Sequence, residues 1–238
     1  MKPLNTLVLN VRPMTLDDIE AVAGWFDSID DVLLFDRSAV VPASLEAIRE
    51  NWKTDLDPAA MPPKALWYIA EDASGRPAAI AGLRSINYIN GDALLAAFVS
   101  RHMRGRGVGV RLAAMALDAG VTRMRLVRVT AYYREDNAIT ARITQRLGFC
   151  EEGRLRKALL TVGCHYDMVV MGLLQEEWLA RRDALNGELD DATVLRFPGQ
   201  GNEQYDWPRR ERTDILVRDL AARRERLEVA GRKGERLP

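Results

Sequence analysis

The stretch "RHMRGRGVGVRL", residues 101–112, decides the reading of this chain. It packs three glycines and four arginines into twelve positions. Before it lies "DALLAAFV", residues 92–99, apolar enough for a strand buried on both faces. After it lies "LAAMALDAGV", residues 112–121, with Val110, Ala113, Ala114 and Leu117 at helical spacing. A glycine-rich loop between a strand and a helix start has the makings of an anion site. The first N–H groups of the helix lack carbonyl partners, and the helix dipole favours negative charge there.

Outward from the loop, both flanks read as a mixed α/β domain. "LVLNVRPM" is a first strand ending near Pro13. "TLDDIEAVAGWFDSI" is a helix capped by Thr15, with Ile19, Val22, Ala23 and Phe26 on one face. "SLEAIRENWKTDL" is a second capped helix, and "ALWYIAED" and "PAAIAGLRSINYI" are strands joined by a turn. The loop's own helix is expected to end at Gly120. "RMRLVRVTAYY" alternates as a strand, "NAITARITQRL" is a short helix stopped by Gly148, and an antiparallel pair around Gly163 closes the domain. Residues 176–187 read as helix, 188–208 as a polar loop, and the segment from 209 as a helix with Leu216, Leu220 and Leu227 on one stripe. That stripe packs on the domain or makes a dimer contact. The division expected is a domain over 1–178 and a helical C-terminal extension over 179–238.

Composition narrows the classes. The 238 residues are 47% hydrophobic and 29% charged, as in ordinary globular chains. Lys+Arg and Asp+Glu both number 34, so no global field draws the chain to nucleic acid or to an anionic membrane. Cys150 and Cys164 are too few for a disulfide framework and read as reduced thiols of a cytoplasmic protein. The N-terminus lacks the pattern of a signal peptide, and no apolar run reaches the length of a membrane span. His102 and His165 have no metal-type partners near them in sequence, so no metal site is expected.

Two phosphate-loop signatures fail on the residues. A P-loop needs Lys and Ser/Thr after its last glycine, and neither follows. A dinucleotide fingerprint starting from Gly105 and Gly107 needs a third glycine where Val110 stands. What fits is R-x-x-G-x-G over Arg104, Gly105, Arg106, Gly107, Val108 and Gly109. This resembles the acyl-CoA diphosphate loop of the GNAT superfamily of N-acetyltransferases. The likeness continues in "DNAITARITQRLGF" and in "FCEEGRLRKALLTVGCHYDMVVMGLLQEEW", which is similar to the closing hairpin of the RimJ/RimL-like subgroup. It spans roughly residues 8–178.

The resemblance implies the GNAT fold, a mixed central sheet flanked by helices, and acetyl-CoA as cosubstrate. Glycines let main-chain amides approach the phosphates, and Arg104 and Arg106 add charge-assisted bonds. The pantetheine arm would lie against the strand before the loop, on the main chain of Phe98 and Val99, with an N–H near Val99 polarising the thioester. Asn137 would bond the arm and cap its helix. Many relatives carry a Tyr acid seven residues after that Asn; here Thr144 stands there. Thr140, three residues after it, keeps a hydroxyl as thiolate donor or cofactor contact, or else bonds its own backbone. Asp92 and Glu135 are the candidate bases, each equally readable as a solvated carboxylate, and Tyr132 or Tyr133 would face the cleft. The expected reaction is acetyl transfer to a protein N-terminus or a small amine. The competing reading is a non-catalytic CoA-binding or protein-interaction module. Dimers are common in the family, so a homodimer is expected too.

Overall fold

The computed structural model describes residues 6–26, 43–161, 163–198 and 204–208. Strand β1 (Leu7–Pro13) runs into a short 3-10 turn, helix α1 (Ile19–Val22) and a second 3-10 turn ending at Phe26. Helix α2 (Leu45–Lys53) follows, capped by the Ser44 hydroxyl, which accepts from the Ala47 N–H. Three strands come next: β2 (Leu66–Glu71), β3 (Pro77–Asn87) and β4 (Asp92–Val99). The glycine loop then opens α3 (Val108–Arg123). Beyond it lie β5 (Arg128–Arg134), α4 (Ala138–Leu147), β6 (Cys150–Thr161), β7 (Cys164–Leu174) and α5 (Gln175–Glu188). Two last strands are β8 (Thr193–Pro198) and β9 (Gln204–Trp207).

Among the described residues the strands form one mixed sheet in the order β6-β7-β5-β4-β3-β2-β1-β8-β9. Side-chain alternation assigns each strand two faces. On β2, Tyr68 and Ala70 join a core with α3 and Trp178 of α5, whereas Trp67 and Ile69 join one with α1 and α2. On β4, Ala93 belongs to the first core and Phe98 to the second. Helices therefore cover both faces, as the sequence implied.

Two expectations need correction. Gly120 does not end α3, which continues to Arg123; it lies inside the helix because a Cβ there would sit 2.3 Å from Leu83 Cδ1 of β3. Residues 188–208 are not simply a loop. β8 pairs in parallel with β1 (Leu7 with Thr193, Asn10 with Arg196), and β9 pairs antiparallel with β8. Leu195 and Trp207 are fully buried, and Trp207 stacks on Trp178 at 6.0 Å between ring centroids. Helix α5 runs straight through position 178, so this part of the expected extension belongs to the sheet and its core. The helix expected from residue 209 onward lies outside the described residues.

Candidate active site

The site begins where two strands part. β4 and β5 are parallel neighbours at Asp92–Arg128, Ala93–Val129 and Leu94–Thr130, and pair no further. β4 stays bonded to β3 along its length, from Asn87–Asp92 to Ala79–Val99. Among the described residues the outer edge of β4 beyond Leu94 is thus left open. Ser100 N–H donates to Ala78 C=O, which fixes the alternation of the ladder. Phe98, paired with Ile80, turns its main-chain groups to β3, while Ala97 and Val99 turn theirs to the open edge. Phe98, expected to present its main chain to the cleft, turns it to β3 instead; the main-chain groups that face the open edge are those of Ala97 and Val99. The Phe98 ring goes to the α1/α2 face, stacked on Trp25 at 5.6 Å.

At the end of β4 the glycine loop turns into α3. Gly105 and Gly107 both have left-handed φ, +78° and +70°. The N–H groups of Val108, Gly109 and Val110 open the helix and have no carbonyl one turn back; among the described residues none donates to a backbone acceptor outside it. A Cβ on Gly109 would stand 3.1 Å from Val99 Cγ2, so glycine is what lets the helix start press against the strand end.

The third wall is α4. Asn137 caps it, its Oδ1 accepting from the Thr140 N–H at 3.1 Å, which leaves the side-chain amide NH2 for another partner. Gly148 ends the helix in a left-handed turn, with Gly148 N–H on Gln145 C=O and Phe149 N–H on Thr144 C=O. The Thr144 hydroxyl is buried and donates to its own helix, at Thr140 C=O and Ala141 C=O, which removes it as an acid.

Together these walls enclose a cleft of about 620 Å³. Of the residues singled out from sequence, Phe98, Val99, Arg104, Gly105, Gly107, Val108, Gly109, Asn137 and Thr140 line it. Arg106, Asp92 and Glu135 do not. Arg106 contributes a carbonyl, which accepts from Thr193 Oγ1 at 2.9 Å, rather than a guanidinium in the cleft. Asp92 stands at the paired end of β4, seven residues and roughly 23 Å from Val99 along an extended strand. Glu135 closes the β5–β7 ladder, its Oε1 accepting from the Asp167 N–H at 2.8 Å. Tyr133 is buried, and Tyr132 is exposed outside the cleft lining. Cys150 is exposed with a free thiol.

Sequence reasoning missed Ile139, Arg142, Ile143 and Arg146, which present one face of α4 to the cleft. Their spacing of three, four and seven was the available signal. Among the described residues the lining carries Arg104, Arg142 and Arg146 and no carboxylate. Arg104 folds back, Nε donating to Val99 C=O at 3.1 Å with its guanidinium over the Phe98 ring. An open strand edge, unpaired amides at a helix start and a cationic lining suit a ligand with a diphosphate and an amide-bearing arm.

The chain belongs to the acetyltransferase (GNAT) domain family, whose pattern residues 9–150 match. It is 27% identical over 109 residues to the spermidine N(1)-acetyltransferase of Escherichia coli K12, covering 46% of this chain and 59% of that one. A Bacillus subtilis protein whose name proposes ribosomal N-acetylation is 26% identical over 96 residues, covering 40% and 52% respectively. The chain thus spans just over half the length of these curated relatives. A solved structure of Vibrio cholerae spermidine N-acetyltransferase with CoA and spermine superposes with a TM-score of 0.63 at 20% identity, covering 72% of this chain and 98% of that one. At that identity the likeness is one of fold.

Proposed function

We propose that the protein transfers the acetyl group of acetyl-CoA to a primary amine by direct attack on the thioester. The observation that carries this reading is the junction of β4 and α3, where an open strand edge meets unpaired helix-start amides. The diphosphate would sit on the amides of Gly107 to Val110. The arm would bond the main chain of Ala97 and Val99 and the Asn137 amide, with Arg104 releasing the Val99 carbonyl. The acetyl carbonyl would then lie along β4, where the Val99 N–H faces the open edge and can stabilise the developing oxyanion. Arg104 and Arg142 supply countercharge.

Acid–base help is modest in this reading. With Thr144 bonded to its own helix, the Thr140 hydroxyl is the donor left for the departing thiolate. It makes no hydrogen bond within the described residues and lines the cleft. Among the described residues the lining offers no carboxylate base, and a site without one favours amines that are partly neutral near pH 7–8. An α-amine titrates at about 7.7–8.0, a lysine-type amine at about 10.4. We therefore place protein N-termini and weakly basic small amines ahead of fully protonated ones, in keeping with the RimJ/RimL-like likeness of the hairpin. The two exposed thiols suit the reducing cytoplasm. The exposed edge strand β6, with Leu155 and Leu160 uncovered, suits a homodimer.

The test is thiol release from acetyl-CoA across a panel of peptide N-termini and small amines. Amine-dependent release supports transfer. CoA binding without turnover over the whole panel overturns it in favour of a non-catalytic CoA-binding module.

A further inference from the structure

The glycine loop is tied from below by a segment that the family pattern does not cover. Arg111, one turn into α3, is buried to within 3% of its side-chain surface. Its Nη1 donates to Gly107 C=O at 3.1 Å. Its Nη2 donates to Asp190 C=O at 2.7 Å and to Asp190 Oδ1 at 2.8 Å. The same Asp190 Oδ1 accepts from the Ala192 N–H at 3.2 Å, which steadies the segment itself. Three residues further on, buried Thr193 sends its hydroxyl to Arg106 C=O at 2.9 Å. Two consecutive loop carbonyls are thereby held by donors placed by the connection between α5 and β8.

A trans peptide points its C=O and its N–H in opposite directions. Holding the Arg106 carbonyl on Thr193 turns the Gly107 N–H the other way. The Gly107 carbonyl, held by the Arg111 side chain and at 3.4 Å by the Arg111 N–H that begins the helix ladder, does the same for the Val108 N–H. Gly107 and Val108 are cleft-lining residues. Gly107 also cannot carry a side chain without disturbing this arrangement, since a Cβ would stand 2.2 Å from Arg111 Nη1.

We infer that Arg111, Asp190 and Thr193 are positioning residues: the segment 190–193 sets the orientation of the loop amides, and through them the affinity for a diphosphate-bearing donor. The inference deepens the acetyl-CoA reading above and rests on it for the identity of the ligand. Nothing in R-x-x-G-x-G encodes this control, because the donors come from outside the motif.

The experiment uses the full chain with Thr193→Val, which keeps the shape and removes the donor, and Asp190→Ala, at a side chain 77% exposed. Amide resonances of Gly107 and Val108 are followed by NMR in the ligand-free protein, and CoA affinity by calorimetry. Both variants are expected to shift those two resonances and to weaken CoA binding roughly threefold to tenfold, the worth of one hydrogen bond. The preference for acetyl-CoA over S-acetylpantetheine, which lacks the diphosphate, should fall by the same factor. A general loss of structure would depress both donors alike and leave that ratio unmoved. Unshifted amide resonances, or an unchanged donor ratio in folded variants, overturns the inference. Wild-type protein that fails to bind CoA while the resonances shift overturns the acetyl-CoA reading instead.

Discussion

Gly107 and Gly109 lie two residues apart in one motif and have different jobs. At Gly107 the left-handed φ and the adjacent Arg111 guanidinium exclude any side chain, so a substitution there reports on loop shape. At Gly109 the obstacle is the tip of Val99, which can give by a few tenths of an ångström. Gly109→Glu should therefore fold, while placing a carboxylate where the diphosphate is to sit. Calorimetry should show CoA affinity reduced by more than roughly tenfold, from like-charge repulsion a few ångströms apart, in a protein that still unfolds cooperatively. Thr140→Val addresses the chemistry. It should lower kcat by roughly tenfold, less than the roughly hundredfold or more typical of general acids because a thiolate is a good leaving group, and leave the Kd for CoA within twofold. The glycines and Asn137 were legible in sequence because their backbone needs are local. Asp92 and Glu135 were not separable from the cleft by sequence, since being near a strand end does not say which end faces the opening.

Elements read well wherever their capping and alternation are local. α2 has its Ser44 cap, α4 its Asn137 cap and Gly148 stop, and β4 its apolar run. What alternation could not tell was which edge of β4 is open; that needed the pairing to β3, which puts Ala97 and Val99 rather than Phe98 on the cleft side. Before α1, Asp18 binds the chain entry to the sheet. It accepts from the Thr15 N–H at 2.8 Å and from Arg12 at 2.6 and 2.9 Å, and Arg12 also bridges to Glu71 of β2. Burial, the largest single influence, pushes the Asp18 carboxyl upward, but the bonds from Arg12 and Thr15 together outweigh it and hold it below its ordinary range. A carboxyl with a lowered folded pKa contributes stability above its unfolded value of about 3.9, and loses it as pH falls through the folded one. Asp18→Asn should thus cost about 1–3 kcal/mol at pH 7 in urea unfolding. The gap to wild type should narrow below about pH 4.

For the molecule as a whole, the sheet does not stop at the family's portion. β8 lies beside β1 although nearly the whole described chain separates them, and such pairing leaves no turn signal in the sequence. That is why "TVLRFP" and "QYDW" read as loop, while Trp207 ends up fully buried against Trp178. Trp207→Ala should destabilise the fold by about 3–5 kcal/mol in urea unfolding, a loss that a residue in a loose tail would not produce.

Diphosphate binding requires the helix-start amides to point into the cleft. A crystal structure of the complex with CoA tests this most directly. The diphosphate oxygens should lie within hydrogen-bond distance of the N–H groups of Gly107 to Val110, with the arm bonded along the Ala97–Val99 edge of β4. A nucleotide bound elsewhere, or those N–H groups engaged by acceptors of the protein itself, would contradict it.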